Sequence, residues 1–468
     1  MKEAIKIDNL SFAYSNTGKK VLNDVSITIN YGEITLIAGD SGQGKSTLFY
    51  IMNGVIPHST PGVLQGDVFV DGENISTKSI GQISRKLGSV LQNADSQIIN
   101  NIVGNEVAFG CENIGLDCKE ISSRINYALD QMGLDKNANT QKLSGGEKQK
   151  LISATTFALD SKIIVLDEPL ANLDKKSTIQ LMERLKQLKE SGYAIVIIEH
   201  RIDMIIKYVD TIFYVDKGNV AKVGDRDFFD NHTKQIGDTR SIQGDSTILQ
   251  LNDICYNASG TLILKNINLE IHEGERLLVL GENGSGKTTL TKVIAKLLKP
   301  SAGNIVQAID PTLGQKRATR DWFKTLAYVY QNPNYQLFMS TVEDELLFSA
   351  HSLEYCQKIV DMFELEPLLD SHPHSLSEGQ KRKLSIAVML AMKPRVLILD
   401  EPTVGQDFRS LEMMVNNLNK IHREERNTMI TITHDQRCAE ALCDKAIIVD
   451  NGEIVATGGK ELVRTFFG

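Results

Sequence analysis

The chain has 468 residues, of which 41% are hydrophobic and 24% are charged, and its formal net charge is −8. This composition is normal for a globular protein of two to four domains. The negative charge argues against nucleic acid as a main partner, because phosphate binding needs a basic face. No apolar run approaches the roughly 20 residues that cross a bilayer, so we expect a cytoplasmic location unless a partner holds the chain at a membrane.

The first predicted elements are strands that lead into a glycine loop. The runs SITIN and EITLIAG predict strands, and a helical middle follows, with a helix over Lys119–Met132. The later runs IIVLD and AIVIIE are apolar without alternation, which is typical of parallel strands buried on both faces. The six cysteines form no C-x-x-C pair, so we predict reduced thiols and no zinc site. The fold class is therefore α/β, with an antiparallel β segment at the start.

The second half of the chain repeats the motifs of the first half in the same order. GDSGQGKS at 39–46 recurs as GENGSGKT at 281–288, VLQNADSQ at 90–97 as VYQNPNYQ at 329–336, KLSGGE at 142–147 as SLSEGQ at 375–380, IIVLDEP at 163–169 as VLILDEP at 396–402, and AIVIIEH at 194–200 as MITITH at 429–434. We predict two homologous domains, 1–231 and 247–468, joined by a polar linker at 232–246.

Each glycine loop has the pattern G-x-x-x-x-G-K-[ST], in which backbone amides and a helix N-terminus bind phosphate. We predict nucleotide contacts from Gly39, Asp40, Ser41, Gly42, Gln43, Gly44, Lys45, Ser46 and Thr47 in the first copy, and from Gly281, Glu282, Asn283, Gly284, Ser285, Gly286, Lys287, Thr288 and Thr289 in the second. The two lysines would reach the β- and γ-phosphates, and Ser46 and Thr288 would ligate Mg²⁺.

Acidic pairs follow two of the buried strands, where ligands of parallel sheets bind. We predict that Asp167 and Asp400 hold Mg²⁺, and that Glu168 and Glu401 deprotonate the attacking water. The alternative is a solvated acidic loop.

Other polar side chains follow strands at matching positions of the two copies. His200 and His434 are predicted to contact the γ-phosphate, and Gln92 and Gln331 to sense Mg²⁺ and the water as further metal ligands. Tyr14 and Tyr256 would either stack on adenine or be ordinary half-buried strand tyrosines.

The phrases LSGGE and LSEGQ resemble the signature of ABC-type ATPases, and the other motifs of that family occur in order in both halves. The resemblance implies two tandem P-loop ABC ATPase domains that bind ATP and Mg²⁺. Each would have a parallel core sheet, an antiparallel β subdomain and a helical subdomain. It also implies a head-to-tail pseudo-dimer in which each signature closes the ATP site of the other half. The closing residues would be Ser377, Gly379 and Gln380 for the first site and Ser144, Gly145 and Gly146 for the second, with Asp174 and Asp407 in the D-loops.

The segments QNPNYQLF and TVEDELLF further resemble the ATPases of energy-coupling factor transporters, including cobalt-type importers. That resemblance implies a peripheral position on the cytoplasmic face of the membrane. A transmembrane scaffold subunit would dock beside the loop that begins with Gln92 or Gln331, called the glutamine loop below, and a separate membrane subunit would capture a vitamin, a vitamin precursor or a metal ion. The first copy departs from the pattern at Ala94, so we expect stronger docking through Glu343, Asp344 and Glu345, unless these acids only begin a solvated helix. Soluble tandem ABC ATPases that act on ribosomes and sugar-importer ATPases are the alternatives.

Glu378 replaces the glycine that the first signature has at Gly145. The resemblance implies that Glu378 approaches the γ-phosphate of the nucleotide held by Lys45. Two like charges at ~7 Å and an effective dielectric near 20 repel by about 2 kcal/mol. We therefore predict slower turnover at the site that Glu378 closes, unless its carboxylate finds a cation such as Lys381 or Arg382.

Overall fold

The computed structural model describes residues 2–15, 18, 20–40, 42–92, 94–170, 173–199, 202, 205–223, 242, 244–258, 260–308, 320–404 and 406–467. The chain divides into two compact units, Met1–Thr233 and Lys234–Gly468. Most of the predicted linker at 232–246 lies outside the described residues, so its character stays a prediction. Across the described ranges, no helix combines the length and the apolar character that a membrane span needs.

The first unit contains an antiparallel sheet and a mostly parallel core sheet. Its strands are β1 (Glu3–Tyr14), β2 (Lys20–Asn30), β3 (Ile34–Ala38), β4 (Gly62–Val70), β5 (Glu73–Asn74), β6 (Leu87–Val90), β7 (Ile163–Asp167), β8 (Ala194–Ile198), β9 (Thr211–Asp216) and β10 (Asn219–Val223). The antiparallel sheet has the order β2-β1-β4-β5, and the core sheet has the order β10-β9-β3-β8-β7-β6. Only the β9–β10 pairing of the core sheet is antiparallel among the described strands.

Every residue of β3, β7 and β8 is buried. This confirms the interpretation of the unbroken apolar runs as strands covered on both faces. Because these parallel strands end at the same edge of the sheet, the loops that follow them meet there.

The helices of the first unit are Lys45–Met52, Val55–His58, Ile80–Ser84, Val103–Asn113, Cys118–Met132, Gly145–Ala158 and Lys175–Glu190. The predicted helix over Lys119–Met132 is confirmed, with its start one residue earlier. Asp117 sets that start, because its carboxylate accepts the amides of Lys119 and Glu120 at 2.9 Å each. The helices Val103–Asn113, Cys118–Met132 and Gly145–Ala158 bury a shared apolar cluster, which forms the helical subdomain.

The second unit repeats this architecture. Its strands are β11 (Thr247–Ala258), β12 (Thr261–His272), β13 (Arg276–Leu280), β14 (Ala302–Gln307), β15 (Leu326–Val329), β16 (Val396–Asp400), β17 (Thr428–Ile432), β18 (Lys445–Asp450) and β19 (Glu453–Gly458). The helices are Lys287–Ile294, Arg320–Thr325, Val342–Ser349, Leu353–Met362, Glu378–Ala391, Phe408–Glu425, Gln436–Ala441 and Lys460–Phe467. The sheets have the orders β12-β11-β14 and β15-β16-β17-β13-β18-β19. The α/β fold class with antiparallel and helical subdomains is confirmed for both units.

Candidate active sites

Each glycine loop joins a central strand to a helix that begins at its lysine. Gly39 and Gly281 have φ values of 151° and 149°. A Cβ atom on Gly39 would lie 2.4 Å from the carbonyl oxygen of Val215, and one on Gly281 would lie 2.2 Å from that of Val449. Only glycine fits so close to a neighbouring backbone. The loops therefore have the shape of a phosphate cradle.

The loop lysines are held across the mouth of each cradle. Lys45 Nζ donates to the carbonyl oxygens of Gly39 at 2.6 Å and Asp40 at 2.7 Å. Lys287 Nζ donates to the corresponding oxygens of Gly281 and Glu282, both at 2.8 Å. Each ammonium group is thus positioned at the start of a helix, where anions are favoured. Ser41, predicted as a nucleotide contact, lies outside the described residues.

The two tyrosines predicted to stack on adenine are both half-buried. The Tyr14 hydroxyl lies 3.0 Å from Thr47 Oγ1, so this ring sits beside the first glycine loop. Tyr256 packs against the apolar core of the second unit. Stacking on a base stays a prediction for both.

The aspartates at the ends of β7 and β16 are buried, and burial raises the pKa of Asp167 to about 7 and that of Asp400 to about 6. The adjacent Glu168 and Glu401 add to these shifts by repulsion. Asp167 Oδ1 is buried without a hydrogen-bond partner in the described part of the chain. Asp400 accepts hydrogen bonds from Thr288 at 3.2 Å and Tyr328 at 2.9 Å.

These aspartates fit Mg²⁺, because a buried carboxylate oxygen beside a loop hydroxyl is a hard oxygen ligand. In the second unit the Thr288 hydroxyl donates to Asp400, and in the first unit the Ser46 hydroxyl acts on Asp167 to lower its pKa. A bound cation would favour the ionised form of both aspartates. The metal ligands predicted from sequence, Ser46 with Asp167 and Thr288 with Asp400, are therefore adjacent.

The glutamates predicted to act as bases have backbone conformations that non-glycine residues rarely adopt. Glu168 has φ 47° and Glu401 has φ 50°. In both cases the amide donates to the end of the next strand, Ile198 or Ile432, at 2.9 Å. Such strain is concentrated at functional sites. This feature has no signature in the sequence.

Glutamine and histidine side chains meet these glutamates. Gln92 Nε2 donates to Glu168 Oε2 at 2.7 Å. His434 Nε2 lies 3.3 Å from Glu401 Oε1, and the His434 amide donates to Glu401 Oε2 at 3.2 Å. The structure thus brings the predicted base together with the predicted water-sensing residue Gln92 in the first unit, and with the predicted γ-phosphate contact His434 in the second. His200 lies outside the described residues.

Each signature serine caps the helix that follows it. Ser144 and Ser377 accept the amides of Glu147 and Gln380 in reciprocal capping boxes. The side chain of Glu378 pairs with Lys381 at 3.0 Å. Lys381 is one of the cations that would offset the repulsion between Glu378 and the γ-phosphate. We therefore expect Glu378 to slow turnover at that site less than the sequence alone suggests.

Arg382, which the sequence indicates only as a possible partner of Glu378, is a further functional candidate. It lies on the second signature helix, Glu378–Ala391, and only 3% of its surface is exposed. Burial lowers the pKa of its guanidinium to about 10, while Asp400, Glu378 and Glu401 favour the charged form, so it remains charged at neutral pH. The signal in the sequence is a difference between the two copies, because Gln149 stands at the position equivalent to Arg382.

One sequence interpretation is wrong in part. The sequence predicts an acidic docking site of Glu343, Asp344 and Glu345, but Glu345 is buried. Its carboxylate accepts the amides of Phe338 and of Met339, the latter at 2.6 Å. Glu106 does the same in the first unit for Ile99 and Asn100. These glutamates shape the loop before the helix and are not free to bind a partner.

Comparison with known proteins settles the family. The model of the family described as ABC transporter matches residues 22–171 and 264–404, more than half of the chain. The chain belongs to the ABC transporter family. It is a tandem ABC ATP-binding protein, and ATP hydrolysis is the activity of that domain.

Relatives match this chain almost end to end. A provisionally named ABC transporter ATP-binding protein of Treponema denticola is 32% identical, over 96% of this chain and 96% of that protein. A provisionally named HMP/thiamine import ATP-binding protein of Bacillus subtilis is 30% identical, over 97% of this chain and 91% of that protein. A structure of an archaeal ribosome recycling factor with a ribosomal stalk protein has a TM-score of 0.68, at 19% identity, over 98% of this chain and 92% of that chain. At that identity it supports the fold alone.

Proposed function

We propose that this tandem ABC ATPase powers a membrane importer of the energy-coupling factor type, for a vitamin, a vitamin precursor or a metal ion. It would lie on the cytoplasmic face of the membrane, with a transmembrane scaffold subunit and a substrate-capture subunit as partners. The name of the Bacillus subtilis relative, an import ATP-binding protein, supports this direction.

A pair of exposed apolar side chains beside the glutamine loop carries the proposal. In the second unit, Phe338 is 65% exposed and Phe348 is 68% exposed, and their rings are 5.6 Å apart in an edge-to-face contact. Tyr335, on the same loop, is also exposed. Ile99 and Phe109 occupy the corresponding positions of the first unit and are exposed as well. Grouped exposed aromatic side chains are typical of protein-binding surfaces.

The chemistry follows from the groups beside each glycine loop. The loop amides and Lys45 would hold the phosphates, and Gln92 would help Glu168 to orient the attacking water. Glu168 would take the proton of that water as its oxygen bonds to the γ-phosphorus, while the bond from the γ-phosphorus to the oxygen bridging to the β-phosphate breaks and ADP leaves. Mg²⁺, held by Ser46 and Asp167, would supply charge neutralisation for the β- and γ-phosphates. The second unit would use the equivalent residues in the same roles, with His434 contacting Glu401. These residues are Lys287, Thr288, Asp400, Glu401 and Gln331.

The two sites would each be closed by the signature of the other half. A helix N-terminus with free amides, such as that after Ser144 or Ser377, is suited to contact the γ-phosphate. Covalent linkage of both halves in one chain would raise the effective concentration of each domain for the other.

The pair Phe338→Ala/Phe348→Ala should weaken capture of the scaffold subunit. Aromatic residues at the centre of an interface often contribute 2 kcal/mol or more, so we expect at least a roughly tenfold loss of recovered partner. The measurement is affinity purification of the tagged full chain from detergent-solubilised membranes, with co-purified proteins identified by mass spectrometry. Wild-type protein should bring down integral membrane proteins.

Val455→Ala is the matched control, because Val455 is an exposed apolar residue on β19, outside the helical subdomain. Melting temperatures would show that all variants fold.

Glu343→Gln/Asp344→Asn tests the exposed acids without touching Glu345, whose loss would disturb the loop itself. Recovery of ribosomal proteins in place of membrane proteins, or equal recovery by all variants, would contradict the proposal.

A further inference from the structure

Arg382 ties the second signature helix to the glutamine loop of the same unit. Its guanidinium donates to the carbonyl oxygen of Tyr330 at 2.7 Å and to that of Gln331. These carbonyls lie directly after β15, in the loop that carries the predicted water-sensing side chain. The planar fork of arginine can serve two neighbouring carbonyl oxygens at once, which a lysine ammonium on a single stem does less well.

A second side chain reinforces the connection. Gln336 Nε2 donates to the carbonyl oxygen of Ser385 on the signature helix at 2.8 Å, and Gln336 Oε1 accepts the amide of Tyr330 at 3.0 Å. Arg382 and Gln336 together hold the loop to one side of the helix Glu378–Ala391. The backbone around Gln331 is therefore positioned by the signature helix.

The first unit lacks this arrangement in the part of the chain that the structure describes. Gln149 stands at the position of Arg382, is fully buried, and has no hydrogen-bond partner for either amide atom. Gln97, the counterpart of Gln336, donates to the carbonyl oxygen of Ser89 and accepts the amide of Leu91, both at 3.1 Å. Gln97 therefore bonds the backbone on either side of its own loop, whereas Gln336 also bonds the signature helix.

We propose that Arg382 is a positioning residue for ATP hydrolysis, which makes the glutamine loop and the signature helix of the second unit move as one body. The inference rests on the proposed roles of Gln331 and of the signature at the two ATP sites. In that arrangement the helix after Ser377 closes one site, while Gln331 serves the other. One arginine would then transmit closure at the first site to the water-sensing loop of the second.

The test is steady-state ATP hydrolysis by the full chain carrying Arg382→Gln, which gives the second unit the residue of the first. Loss of both charge-assisted hydrogen bonds should lower kcat by at least about tenfold, with the KM for ATP changed less than about threefold. This loss of kcat is larger than the twofold loss expected if one of two independent sites stopped working. The reason is that both sites depend on the connection through Arg382. Arg382→Lys should give an intermediate kcat, since its ammonium can still reach one carbonyl.

Gln149→Ala is the matched control at the equivalent position, and its kcat should stay within about threefold of wild type. Hydrogen exchange provides a direct readout of the loop. In Arg382→Gln, peptides covering 328–338 should exchange faster, while those covering 163–167 should not change.

A kcat for Arg382→Gln within about threefold of wild type would overturn the proposal. So would a loss of kcat with unaltered exchange at 328–338, or an equal loss from Gln149→Ala. If Arg382→Gln unfolds at the assay temperature, Arg382→Lys decides: full wild-type kcat and exchange would also overturn it. Because the assay needs no membrane partner, failure of the importer proposal would not affect the result.

Discussion

Glu168→Gln and Glu401→Gln are each expected to lower ATP hydrolysis at the changed site by about 10²–10⁴-fold, the usual effect of removing a general base. Glutamine keeps the size of the side chain but cannot take the proton of the attacking water. Nucleotide binding should persist, because neither glutamate holds the glycine loop. Steady-state hydrolysis and equilibrium ATP binding, measured on the two single variants and the double variant, check this result.

Glu453→Gln is a suitable control, because Glu453 is exposed on β19, away from the glycine loops. A double variant that kept more than about a tenth of the wild-type turnover would rule out the assigned bases. The ratio of the hydrolysis rates of the two single variants also measures how far Lys381 neutralises Glu378. Similar losses are expected, since the ion pair at 3.0 Å offsets the repulsion that sequence alone suggested.

Lys45→Ala and Lys287→Ala are expected to weaken nucleotide binding at the changed site by roughly 10–150-fold. The basis is the loss of a charge-assisted phosphate contact worth about 1.5–3 kcal/mol, at about 1.4 kcal/mol for each factor of ten. The geometry supports a direct role, because each ammonium is already held at the loop mouth by two carbonyl oxygens. Calorimetric titration with ATP and Mg²⁺ would resolve the two sites.

Lys119→Ala is the control for the lysine variants, because Lys119 is exposed at the start of a helix in the helical subdomain. Affinities equal to wild type at both sites, in both loop variants, would be incompatible with the nucleotide sites described above.

Much of each site could be predicted from the sequence, because its groups follow strands of one parallel sheet. Glu168 directly follows the run IIVLD, and Gln92 follows another strand, so both had to lie at the same sheet edge. The hydrogen bond between them, at 2.7 Å, is the consequence. The glycine loops were equally predictable, because their spacing leaves few other conformations.

The sequence could not predict the features that depend on loop conformation. Glu345 follows two exposed acids and looks like them, yet it turns inward because the preceding loop offers it two free amides. Arg382 looks like any basic residue of a helix until the carbonyl oxygens of Tyr330 and Gln331 are found beside it. The left-handed backbone of Glu168 and Glu401 is fixed by the neighbouring strand ends, which no local pattern encodes.

We propose that one chain supplies both halves of both ATP sites. Disulfide crosslinking of Ser144→Cys with Asn283→Cys tests it most directly, because Asn283 lies in the loop that carries Lys287. The exposed native thiol of Cys118 would be replaced by serine, and Glu168→Gln/Glu401→Gln would allow ATP-bound protein to accumulate. We expect an ATP-dependent crosslink within single chains. Crosslinks formed only between two chains, or no product with ATP and Mg²⁺ bound, would contradict it.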